Sequence, residues 1–391
     1  VLLKKKYDVA VVGAGPAGVC AAVAAARRGV SVLLIDSGAT LGGSVTAAMH
    51  RCLCGLYSAD PVSPCNTLNA GMQRDVVMRM SAKAGITSVF PAKFGRAYVL
   101  EFPASAWESA LADICAEPKV DLSTNTRAIA VRRKAHCVES LQLGGAADAT
   151  VAIDALIDCT GGGSVLELVG EDALQPADPA STDMLGGYAI RWARLSGDAD
   201  MLRLEIPYVL NVAVNENALP HAAKFATFFP GPGEGEGVLK LAIPPDAFFP
   251  EQVEPFGADT IRILKERVPA FVSATIVEMS PRALRRDGRR LRGKYIVAED
   301  DVLSARKHGP DAVHAWWPIE NWDAEKGPSY TYPPEGDFYD IPPAALQSAV
   351  VENLFAAGTC LSATRTAAAS TRAGGICLAT GGKAGEMAAA G

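Results

Sequence analysis

The most constraining feature of this chain lies near its start. Val9-Ala10-Val11-Val12 is an apolar, largely β-branched run of the kind a strand buried on both faces needs. It leads directly into Gly13-Ala14-Gly15-Pro16-Ala17-Gly18, which satisfies the spacing G-x-G-x-x-G. An alanine-rich helix is expected from Ala17 to about Arg28, closed by Gly29. A second strand, Val30 to Ile35, ends at Asp36. Strand, glycine turn, helix and strand in that order predict a parallel βαβ unit. Gly13 permits the tight turn, Gly15 lets backbone approach a pyrophosphate, and Gly18 lets helix and strand pack closely. Pro16 and Ala17 belong to the same turn, and the helix N-terminus faces the phosphates. Asp36 stands 23 residues after Gly13, where a carboxylate can accept hydrogen bonds from a ribose diol. An acid there disfavours a 2′-phosphate. The unit predicts a dinucleotide but does not choose between NAD and FAD.

The 391 residues are enough for two domains, or for one large α/β domain with an insertion. With 49% apolar and 20% charged residues, the chain is neither disordered nor collagen-like. A net charge of −6, and no Lys/Arg block longer than Lys4-Lys5-Lys6, argues against a nucleic-acid partner. The apolar stretch Val9 to Ala26 mimics a signal peptide or a membrane span. Gly13, Gly15, Pro16 and Gly18 interrupt it, so no membrane partner is expected. The first residue is Val rather than Met, consistent with numbering that starts inside a longer sequence. Nine scattered cysteines (20, 52, 54, 65, 115, 137, 159, 360 and 377) have neither disulfide-scaffold density nor zinc-ligand spacing. No metal site is expected, and a reducing cytoplasmic setting is the simplest reading.

Later segments tip the cofactor towards flavin. After Asp36 the chain runs Ser37-Gly-Ala-Thr-Leu-Gly42-Gly43-Ser44-Val-Thr46, which resembles the stretch following the ribose acid in FAD-dependent oxidoreductases. Val120 to Val131 reads as strand, turn and strand, and the resemblance implies that backbone near Ala128 meets the adenine. Asp158-Cys-Thr160-Gly161 resembles the strand end that returns the chain to the FAD domain. Asn353 to Thr359, containing Gly358, reads as another strand. Arg372-Ala-Gly374-Gly375-Ile376 then opens a helix of small residues, whose N-terminus would point positive dipole at the flavin edge. Together with Arg286-Asp287-Gly-Arg289-Arg290, these segments resemble the broad FAD-dependent oxidoreductase family with a glutathione-reductase-type FAD fold. The resemblance covers about residues 7–165 and 280–390. It departs from the family pattern at Gly162 and Asp287, and at Gly358-Thr359, which lacks an acid for the ribityl chain.

The fold class expected is α/β: a Rossmann-like FAD-binding domain, with a parallel sheet and helices on both faces, plus an inserted α+β substrate domain. Residues 1–165 form the first part of the FAD domain, with a small insertion at 50–105. Residues 166–340 form the substrate domain, and 341–391 return to the FAD domain. In the middle, Tyr208–Val214 and Gly237–Ile243 read as strands flanking a hairpin turn, Gly231 to Gly237. No second strand–G-x-G-x-x-G–helix unit follows, so a separate nicotinamide domain is not expected. Cys52-x-Cys54 is no C-x4-C redox pair; so short a ring strains a disulfide, and two reduced thiols are expected.

His50 follows the Gly42-Gly43 loop closely enough to lie near the flavin ring, as a proton relay or a covalent attachment point. His314 lies beside Trp316-Trp317 and is a second candidate facing substrate. Arg286 and Arg289 belong to an arginine-rich run suited to anion recognition, and Arg372, just before the last glycine pair, is expected to approach the cofactor. Glu299-Asp300-Asp301 reads as a charged helix start. The expected function is two-electron transfer between a small organic substrate and non-covalent FAD, with oxygen or an external carrier as the other partner. The rivals are a single-component NAD(P)H-dependent flavin monooxygenase and a flavoprotein that matures a partner polypeptide.

Overall fold

The structure, a computed structural model, describes residues 3–59, 66–84, 90–117, 119–176, 184–231 and 233–391. Cys65 therefore lies outside the described residues, as does Pro232 of the hairpin turn. The first stretch contains β1 (Lys6–Val12), α1 (Pro16–Arg27), β2 (Val32–Ile35), α2 (Gly43–Ala47) and β3 (Cys52–Leu53). It continues with α3 (Met72–Ala84), β4 (Phe90–Phe94), β5 (Ala97–Glu101), α4 (Ala104–Cys115) and β6 (Val120–Ser123). A meander, β7 (Thr126–Lys134), β8 (Cys137–Gly145) and β9 (Ala149–Asp158), leads into the short helix α5 (Ser164–Val169). The middle holds β10 (Gly186–Ala193), α6 (Ala199–Asn215), β11 (Thr227–Pro230), β12 (Gly237–Ile243), α7 (Pro250–Arg267) and β13 (Thr275–Met279). The last part holds α8 (Glu299–Leu303), β14 (Val313–Ala315), β15 (Ile319–Asp323), β16 (Gly327–Thr331), β17 (Tyr339–Ile341), β18 (Leu354–Ala356), α9 (Arg365–Thr371) and α10 (Gly374–Ala388).

The fold is α/β, built on a parallel layer β6–β2–β1–β9–β18. The chain winds outward from β1 to β2 and β6, then crosses to β9 and β18 on the other side. The reversal of order falls at β1, and ligands of such sheets bind beyond the carboxyl ends of the strands at that point. Alternate residues of β1 serve different faces. Val9 and Val11 join a core with α1, α3, α4 and α10, whereas Ala10 and Val12 meet the meander and α5. The second face is thus covered largely by antiparallel strands, with α5 the helix packed there.

A four-stranded antiparallel sheet, β11–β12–β10–β13, forms a second layer with its own core. Tyr188, Ile190 and Trp192 of β10, with Leu239, Leu241 and Ile243 of β12, face α6 and α7. The alternate residues, among them Ala189 and Lys240, therefore lie on the opposite face. The expected hairpin is present, since β11 and β12 pair across the Gly231–Gly237 turn. Tyr208–Val214 is not a strand but the second half of α6. Leu202, Ile206, Leu210 and Ala213 are buried at helical spacing, and that period outweighs the local β propensity of Val209, Val212 and Val214. Residues 313–346 share their core with the parallel sheet rather than with this second layer.

Candidate functional site

Gly13 adopts φ 102°, and a Cβ there would sit 2.4 Å from the Cys159 carbonyl oxygen at the end of β9. At Gly18 a Cβ would overlap the Gly13 carbonyl oxygen at 1.6 Å, so that glycine serves packing of helix on turn. Gly15 differs, because its Cβ would meet only Gly43 Cα, at 3.7 Å. Gly15 is also the N-cap of α1 and no side chain caps the helix there. The first-turn N–H groups of Ala17 and Gly18 are thereby left for an anion. Gly42 and Gly43 take φ 98° and 53°, and the Gly42 N–H donates to Ala14 O at 2.9 Å. Two glycine turns thus meet backbone to backbone, a cradle that suits a pyrophosphate.

Asp36 braces this cradle. Its carboxylate accepts from Ala14 N at 2.6 Å and Gly38 N at 2.7 Å, and each oxygen keeps a further lone pair for a ribose hydroxyl. Ser37 and Ser44 are exposed beside it. Thr46 is already engaged, donating to Leu41 O and accepting from the Trp107 indole. Asn125 N and Thr126 N donate to Gly38 O and Asp36 O, which brings the start of β7, and half-buried Ala128, alongside. Thr160 and Asp158 close the end of β9. Asp158 accepts from Thr160 N and from Val165 N and Leu166 N, capping α5, and Thr359 Oγ1 donates to Gly161 O. Gly358, at φ 64°, lies against Ala17.

The loop beyond Gly43 connects the cradle to a second group of side chains. Met49 takes φ 51°, a left-handed turn that aims the chain at His50. Lys240 Nζ, from the open face of β12, donates to His50 Nδ1 at 2.7 Å. That bond fixes the neutral tautomer, with the proton on Nε2. Burial, then the charges of Lys240 and Arg286, hold His50 well below the usual histidine range. Burial likewise lowers Lys240, partly offset by Cys52 and Cys54. Arg286 lies 3.8 Å over the Trp322 ring and donates through Nη1 to Leu185 O and Gly186 O. Its Nε and Nη2 have no hydrogen-bond partner among the described residues. Burial, with Arg372 nearby, lowers Arg286 to about 9. Arg372 donates to Arg286 O at 2.8 Å and Glu320 O at 2.6 Å. Glu320 accepts from the Trp322 indole at 2.6 Å and the Trp317 indole at 3.3 Å. Three cationic side chains therefore share this place with the Glu320 carboxylate, and Arg372 is also acted on by Asp287.

The structure brings His50, Arg286 and Arg372 together and leaves two candidates elsewhere. Arg289 points outward, paired with Glu171 and Glu167 on the surface. His314 bonds Asp340 at 2.8 Å and packs on Phe338 in the β14–β17 pair. Gly374, Gly375 and Ile376 pack directly against residues 53–56, and the Gly375 N–H donates to Cys54 O at 2.7 Å. The closeness that the glycine pair allows is used by that segment. Asp287 accepts from Arg290 and Arg365, and Asp301 caps α8 through Ala298 N. Lys240 and Glu320 were missed by sequence reasoning. The available signal for Lys240 was a lysine alone inside the apolar run Val238-Leu-Lys-Leu-Ala-Ile243.

The pattern of the family described as FAD dependent oxidoreductase matches residues 8–200 and 249–391. A digeranylgeranylglycerophospholipid reductase of Methanosarcina mazei is 52% identical over 46 residues, 12% of this chain and 11% of that protein. The match thus spans about a tenth of that relative's length. Among solved structures, a geranylgeranyl bacteriochlorophyll reductase-like protein from Thermoplasma acidophilum is similar across 99% of this chain and 77% of its own. Its TM-score is 0.50 at 16% identity, a likeness of fold. An anhydrotetracycline hydroxylase from Streptomyces rimosus matches 74% of this chain and 54% of its own, at 18% identity and TM-score 0.47. FAD is the cofactor the cradle fits, and the chain is an enzyme belonging to the FAD dependent oxidoreductase family.

Proposed function

We propose that this FAD-dependent oxidoreductase acts on a small organic substrate carrying a carboxylate or equivalent anionic group, held at the His50–Lys240–Arg286 cluster. The observation that carries this is the pair Lys240 and Arg286 beside Glu320, whose carboxylate is already held by two indoles. Unpaired cations in a low-dielectric setting favour an anionic ligand strongly. Arg286 would bind that group through its Nε and Nη2 edge, a planar fork matched to two carboxylate oxygens. FAD, when bound in the Gly13–Gly18 and Gly42–Gly43 cradle, supplies two-electron redox chemistry. Oxygen or an external carrier is proposed as the other electron partner, because the sequence holds one G-x-G-x-x-G unit. His50 would move protons at Nε2: a proton given up there is replaced at Nδ1 from Lys240, whose lowered proton affinity helps the transfer.

The test uses flavin-loaded enzyme titrated with small mono- and dicarboxylates and with their neutral amides, following the visible flavin bands. Saturable change with the acids and none with the amides is expected. Arg286→Met should keep its flavin and bind the acids about tenfold or more weakly, the cost of losing a charge-assisted hydrogen bond. Equal response to acids and amides, or unchanged affinity in Arg286→Met, would overturn the assignment.

A further inference from the structure

One aromatic side chain beside the cluster is left largely uncovered. β15 and β16 form an antiparallel hairpin in which Glu320 stands opposite Tyr330 and Trp322 opposite Pro328. Residues directly opposite, and residues two apart on one strand, share a face. Glu320, Trp322 and Tyr330 therefore line one side of the hairpin, and Arg286, 3.8 Å over the Trp322 ring, marks it as the side that meets the cluster. Arg372 holds β15 in place there by donating to Glu320 O at 2.6 Å. Behind Tyr330, the Tyr332 ring stacks on it with centroids 6.5 Å apart and 29° between the planes. Trp316 in turn stands 6.3 Å from Tyr332, and the Arg96 guanidinium lies 4.7 Å over the Tyr332 ring. Trp316 and Trp322 are buried and Tyr332 is half-buried, whereas Tyr330 is 45% exposed. Its hydroxyl has no hydrogen-bond partner among the described residues, and burial, then Glu320, pushes the phenol up to about 12. A single exposed aromatic is ordinary on a protein surface. This one is fixed by its strand partner and by a stacked ring, next to a buried guanidinium whose outer edge is open.

We propose that Tyr330 determines the substrate's body: the anionic group held by Arg286 is carried on a planar aromatic ring that packs on the open face of Tyr330. The proposal rests on the anion site placed at Arg286 above. Tyr330 and Trp322 are diagonal neighbours across the hairpin, a separation of about 7–8 Å that aromatic groups bridge. A ring bonded directly to a carboxylate on Arg286, above Trp322, is thereby delivered to Tyr330. A planar ring meets the tyrosine offset-stacked or edge-on and gains more than apolar contact, whereas a puckered saturated ring of the same size gains the contact alone. Tyr330 thus acts through its ring, as a specificity-determining residue, and its neutral phenol has no part in moving protons.

The experiment titrates flavin-loaded enzyme with benzoate, cyclohexanecarboxylate and benzamide, following the visible flavin bands at a pH where both acids are ionised. The two acids share one carbon skeleton and differ in the planarity of the ring. The parent enzyme should bind benzoate about three- to tenfold more tightly than cyclohexanecarboxylate. Tyr330→Phe should keep that ratio, because the ring and not the hydroxyl supplies it. Tyr330→Leu should bring the ratio close to unity, a change that a merely structural tyrosine would not cause. A ratio near unity in the parent, with both acids still binding more tightly than benzamide, would overturn the proposal and leave the anion site standing. A ratio that persists in Tyr330→Leu would also overturn it, because the ring would then pack elsewhere. Benzamide bound as tightly as benzoate would instead overturn the anion site on which the proposal rests. An unchanged Tm and visible spectrum verify that each variant is folded.

Discussion

His50 and Lys240 are joined by one short hydrogen bond, and burial first, then the charge of Lys240, lowers the affinity of His50 for a proton. Protonating His50 would set two cations 2.7 Å apart in a partly buried place. Its native pKa accordingly lies below the unfolded value of about 6.5. The sign follows from proton counting. Below about pH 6.5 the unfolded chain takes up a proton that the native chain refuses, so stability present above that pH is lost as the pH falls towards the native value. Thermal melts of His50→Gln should therefore show a shallower loss of Tm between about pH 6.5 and 5 than the parent protein. An identical slope would contradict the neutral assignment. The sequence showed His50, Arg286 and Arg372 as candidates because each stood near a recognisable motif. Lys240 and Glu320 carried no motif, and they join the group only because β12 and β15 arrive there from distant parts of the chain.

Among the elements, α1 is the one whose residues were most legible, because its tasks are local. The strand before it, the glycines and Gly29 after it all lie within one continuous stretch. Two glycines of that stretch have different work, and a single methyl group separates them. Gly15 has φ −73°, open to any residue, and room for a Cβ, so Gly15→Ala should melt like the parent when both are flavin-free. It should nevertheless purify with much less flavin, because the methyl fills the space assigned to the pyrophosphate. Gly18→Ala should instead lower stability by about 1–3 kcal/mol or more, since its Cβ meets the backbone of Gly13. Melting curves and flavin-to-protein absorbance ratios check both; full flavin retention in Gly15→Ala would remove the cradle from the cofactor. The helix of small residues expected after Gly374 is α10, and its glycines explain its packing. Gly381 and Gly385 let it approach Ala17 and Ala21 of α1, where any Cβ would strike carbonyl oxygens at 2.1 Å. The element that misled was α6, whose valines imitate a strand over seven residues. The helical burial of Leu202 through Ala213 emerges only over a longer window.

At the scale of the whole molecule, one loop joins the two layers. Residues 42–54 begin against the G-x-G-x-x-G turn, pass His50, and end at the start of α10. The second layer meets this loop through Lys240 and through Ser280, which donates to Ala47 O at 2.8 Å. The parallel pairing of β1 and β2 could be foreseen, since strand–helix–strand order dictates it. The meeting of five distant segments in a cationic cluster could not, because tertiary contacts between distant segments leave no period or spacing in the sequence. Among the described residues no helix is long and apolar enough to cross a membrane. The central claim is that the cradle between Gly15 and Gly43 holds FAD non-covalently. The direct measurement is the visible spectrum of the purified protein before and after acid precipitation, with mass spectrometry of the supernatant. The account predicts flavin bands that move into the supernatant as FAD, about one per chain, since the fold offers one such cradle. A colourless protein whose Tm does not rise when FAD is added would contradict it, and so would flavin that stays with the pellet.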